Sequence, residues 1–313
     1  MTFRIEDKQS LGIKEKAFLR EYFKTKYEIV DSEKTTEMIK TLIEQVNKKQ
    51  RYVLFAYSDE NPQGLIIGRP IGETIDVTTF YIEPDSYSQN CGYRLVSSFV
   101  KKMFSLGFKY YRHEEPLPYN MEKTYQETLA KDRFMIYHRA EMVLEISEEE
   151  DYPIVLKDNY SIIPFTKDRL AESLQVIVDA NKGQLDSKIY PEMNSLEGLK
   201  EAFTRITNNF ERVTADLSPQ IIFNDKIVGA SIVGKMGKEK GYILEIVVHP
   251  KHQRKGLGKA LMNKICLECS KAGVKHLALA VTKENKIAYE LYKKIGFIER
   301  RRILSIVKHK NSD

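Results

Sequence analysis

The 313-residue chain is poor in cysteine: it has three, Cys91, Cys266 and Cys269. So few argue against a disulfide framework and for a reducing compartment. Long apolar runs are missing too, and none approaches the roughly 20 residues that cross a bilayer. The opening Met1-Thr-Phe-Arg-Ile-Glu-Asp-Lys8 lacks the apolar centre of a secretion signal. A cytoplasmic protein with no membrane partner is expected. Nor is there a large charge excess, since 50 Lys and Arg against 44 Asp and Glu leave +6. That balance suits a solvated surface, or weak attraction to a phosphorylated ligand. No basic patch with interleaved aromatics stands out. Arg300-Arg301-Arg302 reads as charge at a strand end, so no nucleic-acid partner is expected.

Two further absences bear on chemistry. Cys266-Leu-Glu-Cys269 has no second Cys/His pair at zinc spacing and sits in register with Leu257, Leu261 and Ile265. Buried thiols fit this better than a four-ligand metal site, so no metal is expected. His249 and His252 have no ligand cluster around them and read as loop residues. No Ser/His/Asp arrangement is evident.

What is present is ordinary globular material, 42% hydrophobic and 30% charged, at a length that favours two domains. The acidic, proline-terminated Ser147-Glu-Glu-Glu-Asp-Tyr-Pro153 is the best boundary. It divides the chain into residues 1–150 and 151–313. The halves repeat one plan. Gly229 follows Gly64 by 165 positions, Pro250 follows Pro84 by 166, Gly273 follows Gly107 by 166 and Phe297 follows Phe134 by 163. An offset this constant indicates duplication of a whole domain.

Each half opens with two helix candidates, Leu11–Lys26 and Thr35–Lys49, then Lys167–Ala180 and Ser195–Asn208. Ser195 is a good N-cap. Strands follow at Arg51–Tyr57 and Gly64–Gly68, with a turn over Asp59–Gln63 between them. Their counterparts are Gln220–Phe223 and Gly229–Gly234, joined by Asn224-Asp-Lys226. Each half reads β-α-α-β-β-β-α-β-α-β-β: a mixed α/β fold with a mixed, mostly antiparallel sheet flanked by helices.

Residues 242–297 carry the chemistry. The apolar strand Tyr242–His249 should be central and buried, yet it holds Glu245. A carboxylate there must be paired, hydrated or functional, and burial would raise its pKa toward that of a general base. Pairing with a basic neighbour remains the alternative. Next comes Gln253-Arg-Lys-Gly-Leu-Gly258, opening a helix. Gly256 and Gly258 carry no Cβ, so an anion could approach the backbone N–H groups. Arg254, Lys255 and Lys259 add positive charge. A helix start with two glycines for tight packing is the alternative. After the strand His276–Val281, Asn285 opens a second helix. Its Ala288, Leu291, Tyr292 and Ile295 should form one buried stripe, on which the Tyr292 phenol needs a partner.

The run Gln253-x-x-Gly256-x-Gly258 after a strand, with Asn285…Ala288-x-x-Leu291-Tyr292…Gly296-Phe297 downstream, resembles the GNAT superfamily of acyl-CoA N-acyltransferases. The resemblance implies acetyl-CoA as cosubstrate. The loop from Gln253 through Arg254, Lys255, Gly256, Leu257 and Gly258 to Lys259 would hold its pyrophosphate. Ile246, Val247 and Val248, on a strand splayed from its parallel neighbour, would hold the pantetheine arm and thioester carbonyl. Asn285 would bond the arm. Tyr292 would protonate the leaving thiolate, and Glu245 would act as base, directly or through water.

The first half departs from this pattern. Its loop is Gln89-Asn-Cys-Gly92-Tyr-Arg94, which puts Arg94 where the second glycine belongs; Thr79, Leu129 and Arg133 stand opposite Glu245, Tyr292 and Gly296. A degenerate, non-catalytic GNAT-like copy in residues 1–150 is expected. The resemblance implies transfer of an acetyl group to a primary amine of a small molecule or peptide. A non-catalytic CoA-binding sensor or scaffold is the alternative, and a homodimer is left open. Asn181–Asn194, of which Asn181–Pro191 reads as a loop, and Gly234–Gly241 are the segments that would shape the acceptor site.

Overall fold

The computed structural model describes residues 3–8, 10–27, 32–83, 90–116, 122–147, 149–157, 159–209 and 215–310. Pro84 and Gln89 of the motif comparison lie outside the described residues. The chain forms two compact units, residues 1–136 with 304–313, and residues 137–303. This division differs from one at the acidic segment Ser147–Pro153. The reason lies in strand pairing and core packing: residues 139–145 pair with a strand of the second unit, while Leu304 and Ile306 are buried in the first unit's core.

The first unit runs β1 (Arg4–Asp7), α1 (Ile13–Tyr27), α2 (Ser32–Asn47), β2 (Tyr52–Ser58), β3 (Asn61–Ile71), β4 (Thr74–Ile82), α3 (Cys91–Ser105), β5 (Tyr110–Pro116) and α4 (Glu122–Lys131). β1 to β4 are antiparallel neighbours in chain order, and β5 adds parallel to β4. Period-two alternation gives the sheet two buried faces. Leu54, Ala56 and Ile66 point into a core with Leu95, Phe99 and Met103 of α3. Val53, Phe55, Tyr57, Leu65 and Ile67 point to the other side, toward Leu19 and Tyr22 of α1 and Ile39 and Leu42 of α2. The turn expected over Asp59–Gln63 is shorter. Ser58 pairs with Asn61, so only Asp59-Glu60 turns, with Asp59 at φ 52.

β6 (Met135–Glu145) passes from the first unit into the second. The second unit continues β7 (Tyr160–Ile163), α5 (Leu170–Asn181), α6 (Asp186–Ile189), α7 (Leu196–Asn209), β8 (Gln220–Phe223), β9 (Lys226–Lys235), β10 (Lys240–Val248), α8 (Leu257–Lys271), β11 (His276–Thr282) and α9 (Lys286–Ile295). β12 (Ile298–His309) returns to the first unit at Leu304. Each copy therefore ends in one long strand where two were expected. The second unit's sheet order is β6-β11-β10-β9-β8-β7, with only β10 and β11 parallel. β8 and β9 join through Asn224-Asp225, both left-handed at φ 49 and 58, as a two-residue hairpin turn requires. Ser195 caps α7, its Oγ accepting from the Gly198 N–H at 3.1 Å.

The segment Asn181–Pro191, expected as a loop, is largely ordered. Asn181 ends α5, and Asp186–Ile189 forms the short α6. Leu174, Ile177 and Leu199 of α5 and α7 pack on one face of the sheet with Ala230 and Ile232. Met262, Ile265, Cys266 and Cys269 of α8 pack with Val233, Ile243 and Leu279.

Candidate active site

β10 opens the site. It pairs with β11 only from Lys240↔His276 to Ile243↔Leu279. β11 runs on beside β6 to Thr282↔Arg139, while β10 stays with β9 to Val248↔Gly229. A bulge between Ile243 and Glu245 turns β10 away at the point of separation. Residues 244–248 are consequently half-buried rather than buried as the apolar pattern implied. Ladder alternation tells which backbone groups face the gap. His249 N–H donates to Val228 C=O at 2.8 Å, so Val247 and Glu245 are turned to β9. Ile246 and Val248 point the other way, and Val248 C=O accepts from Gln253 Nε2 at 3.0 Å. Of the three residues expected to offer backbone groups, Val247 therefore does not face the gap.

The glycine loop follows. His249 Nδ1 accepts from the Lys251 N–H at 3.3 Å, and Pro250–His252 makes a single 3₁₀ turn. Arg254 and Gly256 are both left-handed, at φ 63 and 81, and Gly256 caps α8. Leu257, 1% exposed, anchors the helix start in the core beside Leu261. A Cβ built on Gly256 or Gly258 would meet nothing within 4 Å. The glycines are therefore not explained by tight packing; they border open space at the helix end, whose first N–H groups have no intrahelical partner. Lys255 Nζ donates to the Tyr160 hydroxyl at 3.0 Å, and that hydroxyl lies 2.9 Å from His252 Nδ1. Burial, then Lys255, lowers the His252 pKa and favours its neutral form. Arg254 and Lys259 are exposed.

Glu245 and Tyr292 are brought together at the mouth of the gap. Glu245 is half-buried as a residue, but its carboxyl is enclosed by protein. Its pKa is pushed up to about 7, first by burial and then by the like charge of Asp186. The Asn181 amide, the Arg139 guanidinium and the Ile246 backbone oppose this. Burial, followed by the charges of Glu245 and Asp186, raises the Tyr292 pKa well above the ordinary phenol range, so the hydroxyl stays protonated. Asp186 Oδ1 accepts from Thr282 Oγ1 at 2.8 Å, which ties α6 to the end of β11. Arg139 on β6 donates through Nη1 to the Tyr190 hydroxyl and lies 5.1 Å from that ring's centre. Asp186, Asn181, Arg139, Tyr190 and Thr282 were not singled out by sequence. Only the position of Asn181, Asp186 and Tyr190 in a segment expected to shape the acceptor site hinted at them.

α9 carries Tyr292. Asn285 caps it, Oδ1 accepting from the Ala288 N–H at 3.3 Å. The expected buried stripe is only half-buried, and no residue of α9 is fully covered. Ala288, Tyr289, Tyr292 and Ile295 pack on the core, with Tyr289 rather than Leu291 among them. Cys266 and Cys269 are buried, and burial raises both thiols to about 12. Among the described residues, no three His, Cys, Asp or Glu side chains group as a metal site would need. The Arg300–Arg302 run is paired along β12: Arg301 with Glu141 at 2.8 Å and Arg302 with Glu299 at 3.0 Å.

The first unit repeats this frame with other residues at the matching positions. β4 and β5 also separate after four pairs, Thr74↔Tyr110 to Val77↔His113, beside a bulge. Thr79 stands in place of Glu245. Phe134 N–H donates to Leu129 C=O, as Phe297 N–H does to Tyr292 C=O, so Leu129 stands in place of Tyr292. The glycine register is corrected by the helix caps. Asn90 caps α3 at φ 58 as Gly256 caps α8, which puts Gly92, not Arg94, opposite Gly258. The first copy thus loses the first glycine and keeps the second.

Residues 184–297 match the model of the Acetyltransferase (GNAT) family. Over these residues the chain is similar to GNAT acetyltransferases. The [ribosomal protein bS18]-alanine N-acetyltransferase of Escherichia coli K12 is 35% identical over 83 residues, 26% of this chain and 55% of that protein. The chain spans about half the length of the curated relatives it matches. A GCN5-related N-acetyltransferase from Sphaerobacter thermophilus shares the fold at TM-score 0.63 and 15% identity, over 98% of this chain and 95% of that one. A tandem GNAT protein from the clavulanic acid pathway does so at 0.51 and 14%, over 84% of each chain. Among the described residues, no helix is long and apolar enough to cross a membrane.

Proposed function

We propose that the second unit transfers an acetyl group from acetyl-CoA to a primary amine, and that the first unit is a non-catalytic copy. One observation carries this reading. A carboxyl with its pKa near neutrality and a phenol held protonated lie together where β10 leaves β11, at the end that also carries the glycine loop.

The residues present fit the cosubstrate. The open space over Gly256 and Gly258 is what a pyrophosphate needs, and the α8 N-terminus with Arg254, Lys255 and Lys259 supplies N–H donors and charge. Ile246 and Val248 offer backbone groups to the extended arm, and the amide of Asn285, which caps α9, would bond it. Acetyl-CoA, when bound, supplies the thioester carbonyl carbon that the amine attacks, and leaves as a thiol. Glu245 takes one proton from the acceptor's ammonium. The Val248 N–H faces the position of the developing oxyanion. Tyr292 gives its proton to the departing sulfur and regains one as the nitrogen loses its second. Overall one amide forms, one C–S bond breaks and one proton goes to solvent.

The relative acting on an alanine of a ribosomal protein makes a peptide amine a reasonable acceptor class alongside small amines. Three buried thiols suit a reducing, cytoplasmic setting. An amine panel with acetyl-CoA, following thiol release, tests the reading. Turnover with no amine, despite measurable CoA binding, would leave a sensor or scaffold.

A further inference from the structure

The first unit has a cleft of its own, about 470 Å³, between α2 and strands β3 and β4. That size lies within the roughly 300–1,000 Å³ of small-molecule sites. Its floor is apolar, made by Phe23 of α1, Met38 and Leu42 of α2 and Ile67 of β3. Thr79 lines it and stands in place of Glu245, so a hydroxyl takes the position that carries a carboxyl in the second unit. Arg51, the residue before β2, lines it as well.

Arg51 belongs to a row of charges that crosses the sheet. Tyr52 pairs with Gly68, so Arg51 stands opposite Arg69; Arg69 pairs with Asp76, and Asp76 with Arg112. Val53 points toward α1 and α2, and alternation turns Arg51 to the same side. Asp76 is taken by the other two guanidiniums: Arg69 Nε donates to Oδ2 at 3.1 Å, and Arg112 Nε to Oδ1 at 2.8 Å. Among the described residues, no carboxylate bonds Arg51. Its Nε donates to the neutral Gln45 Oε1 at 3.2 Å, and its Nη1 is enclosed without an acceptor. Nη2, neither bonded nor enclosed, is the donor left to the cleft. Burial, then the like charge of Arg69, lowers the Arg51 pKa against the pull of Asp76. A guanidinium stays charged all the same. Half-buried beside a like charge, it is costly without an anion. At the exposed rim, Lys34 and Glu37 carry opposite signs and leave that balance unchanged.

We propose that this cleft binds a small organic carboxylate, its charged end on Arg51 and its apolar chain on Phe23, Met38, Leu42 and Ile67. The guanidinium selects the charge. One unpaired guanidinium matches the single charge of a carboxylate better than the larger charge of a phosphate monoester. The floor adds affinity with the carbon surface it covers. No bond is made or broken, so the first unit acts here as a binding module. The inference concerns the first unit alone and does not rest on acetyl transfer by the second.

The test uses the intact chain and sodium hexanoate as probe, followed by ligand-observed NMR with and without excess CoA. Hexanoate should bind saturably, and CoA should leave that binding as it is. Acetate lacks the chain and 1-hexanol lacks the charge, so each should bind at least about tenfold more weakly. Arg51→Gln should weaken hexanoate by at least about tenfold without lowering the melting temperature, because a half-buried charge without a counter-ion is removed. Gln45→Glu supplies Arg51 with a carboxylate from within the protein. It should raise the melting temperature and also weaken hexanoate, and it decides the matter if Arg51→Gln folds poorly. No saturable hexanoate binding by wild type, equal affinity for 1-hexanol, or full affinity in Gln45→Glu or in folded Arg51→Gln would overturn the proposal. Displacement of hexanoate by CoA would overturn it too, by placing the probe at the glycine loop of the second unit.

Discussion

Gly92 and Gly258 hold the same place, the second residue of α3 and of α8, yet only one borders open space. A Cβ on Gly92 would lie 3.2 Å from Cζ of Phe80 and 3.8 Å from Tyr125, whereas on Gly258 it would meet nothing within 4 Å. Phe80 is the residue after Thr79, so the first copy fills its own cradle from the strand that has lost the carboxylate.

The full chain should therefore bind one CoA, not two. Calorimetry reads the stoichiometry directly, and Gly258→Val should remove the site. Its side chain enters vacant space, so the melting temperature should move little while CoA affinity falls at least about tenfold. Two equivalent sites in wild type would contradict the filled cradle.

Tyr292→Phe should lower kcat by roughly 10²–10⁴-fold, the range of a general acid. The ring's contact with Phe297, 5.8 Å between centres, survives the change. CoA affinity and melting temperature should stay near wild type. A kcat within about twofold, with chemistry rate-limiting, would make Tyr292 a packing residue only.

The pH dependence of Glu245 has a definite sign. Its folded pKa of about 7 lies above the ordinary value of 4.5, so the folded state binds more protons between these limits. Stability from this group is complete below the ordinary value and is lost as pH rises through about 7. Glu245→Gln should thus melt higher than wild type at pH 8 and show no such advantage at pH 4. In kinetics, kcat/KM of wild type should fall on the acid side with a midpoint near 7, and the Gln variant should lose that limb.

Ile306→Ala should destabilise the first unit by about 2–5 kcal/mol, as for a buried isoleucine, because Ile306 is 0% exposed in that unit's core. A chain ended at residue 150 should fare worse, since it lacks residues 304–313 altogether. A cooperative first-unit transition unchanged by the substitution would show that β12 is dispensable there.

What the sequence determined by itself was local or repetitive. Strand alternation, helical spacing, the Asn224-Asp225 turn and the offset near 166 are written in short windows, and physics acts on them there. The glycine loop, Glu245 and Tyr292 could be named as candidates because each breaks a local rule: bare backbone at a helix start, a carboxyl in an apolar strand, a phenol on an apolar stripe. Tertiary structure alone decided the rest. Asp186, Asn181 and Arg139 reach Glu245 from 59, 64 and 106 positions away, and no window contains such a meeting. The register of the first copy's loop was settled by the left-handed cap at Asn90, and its closure by Phe80, a neighbour only through the sheet. The exchange of residues 304–313 into the first unit follows from which core covers Leu304 and Ile306. Burial of a side chain depends on every element that packs over it, and that sum exists only once the chain has folded.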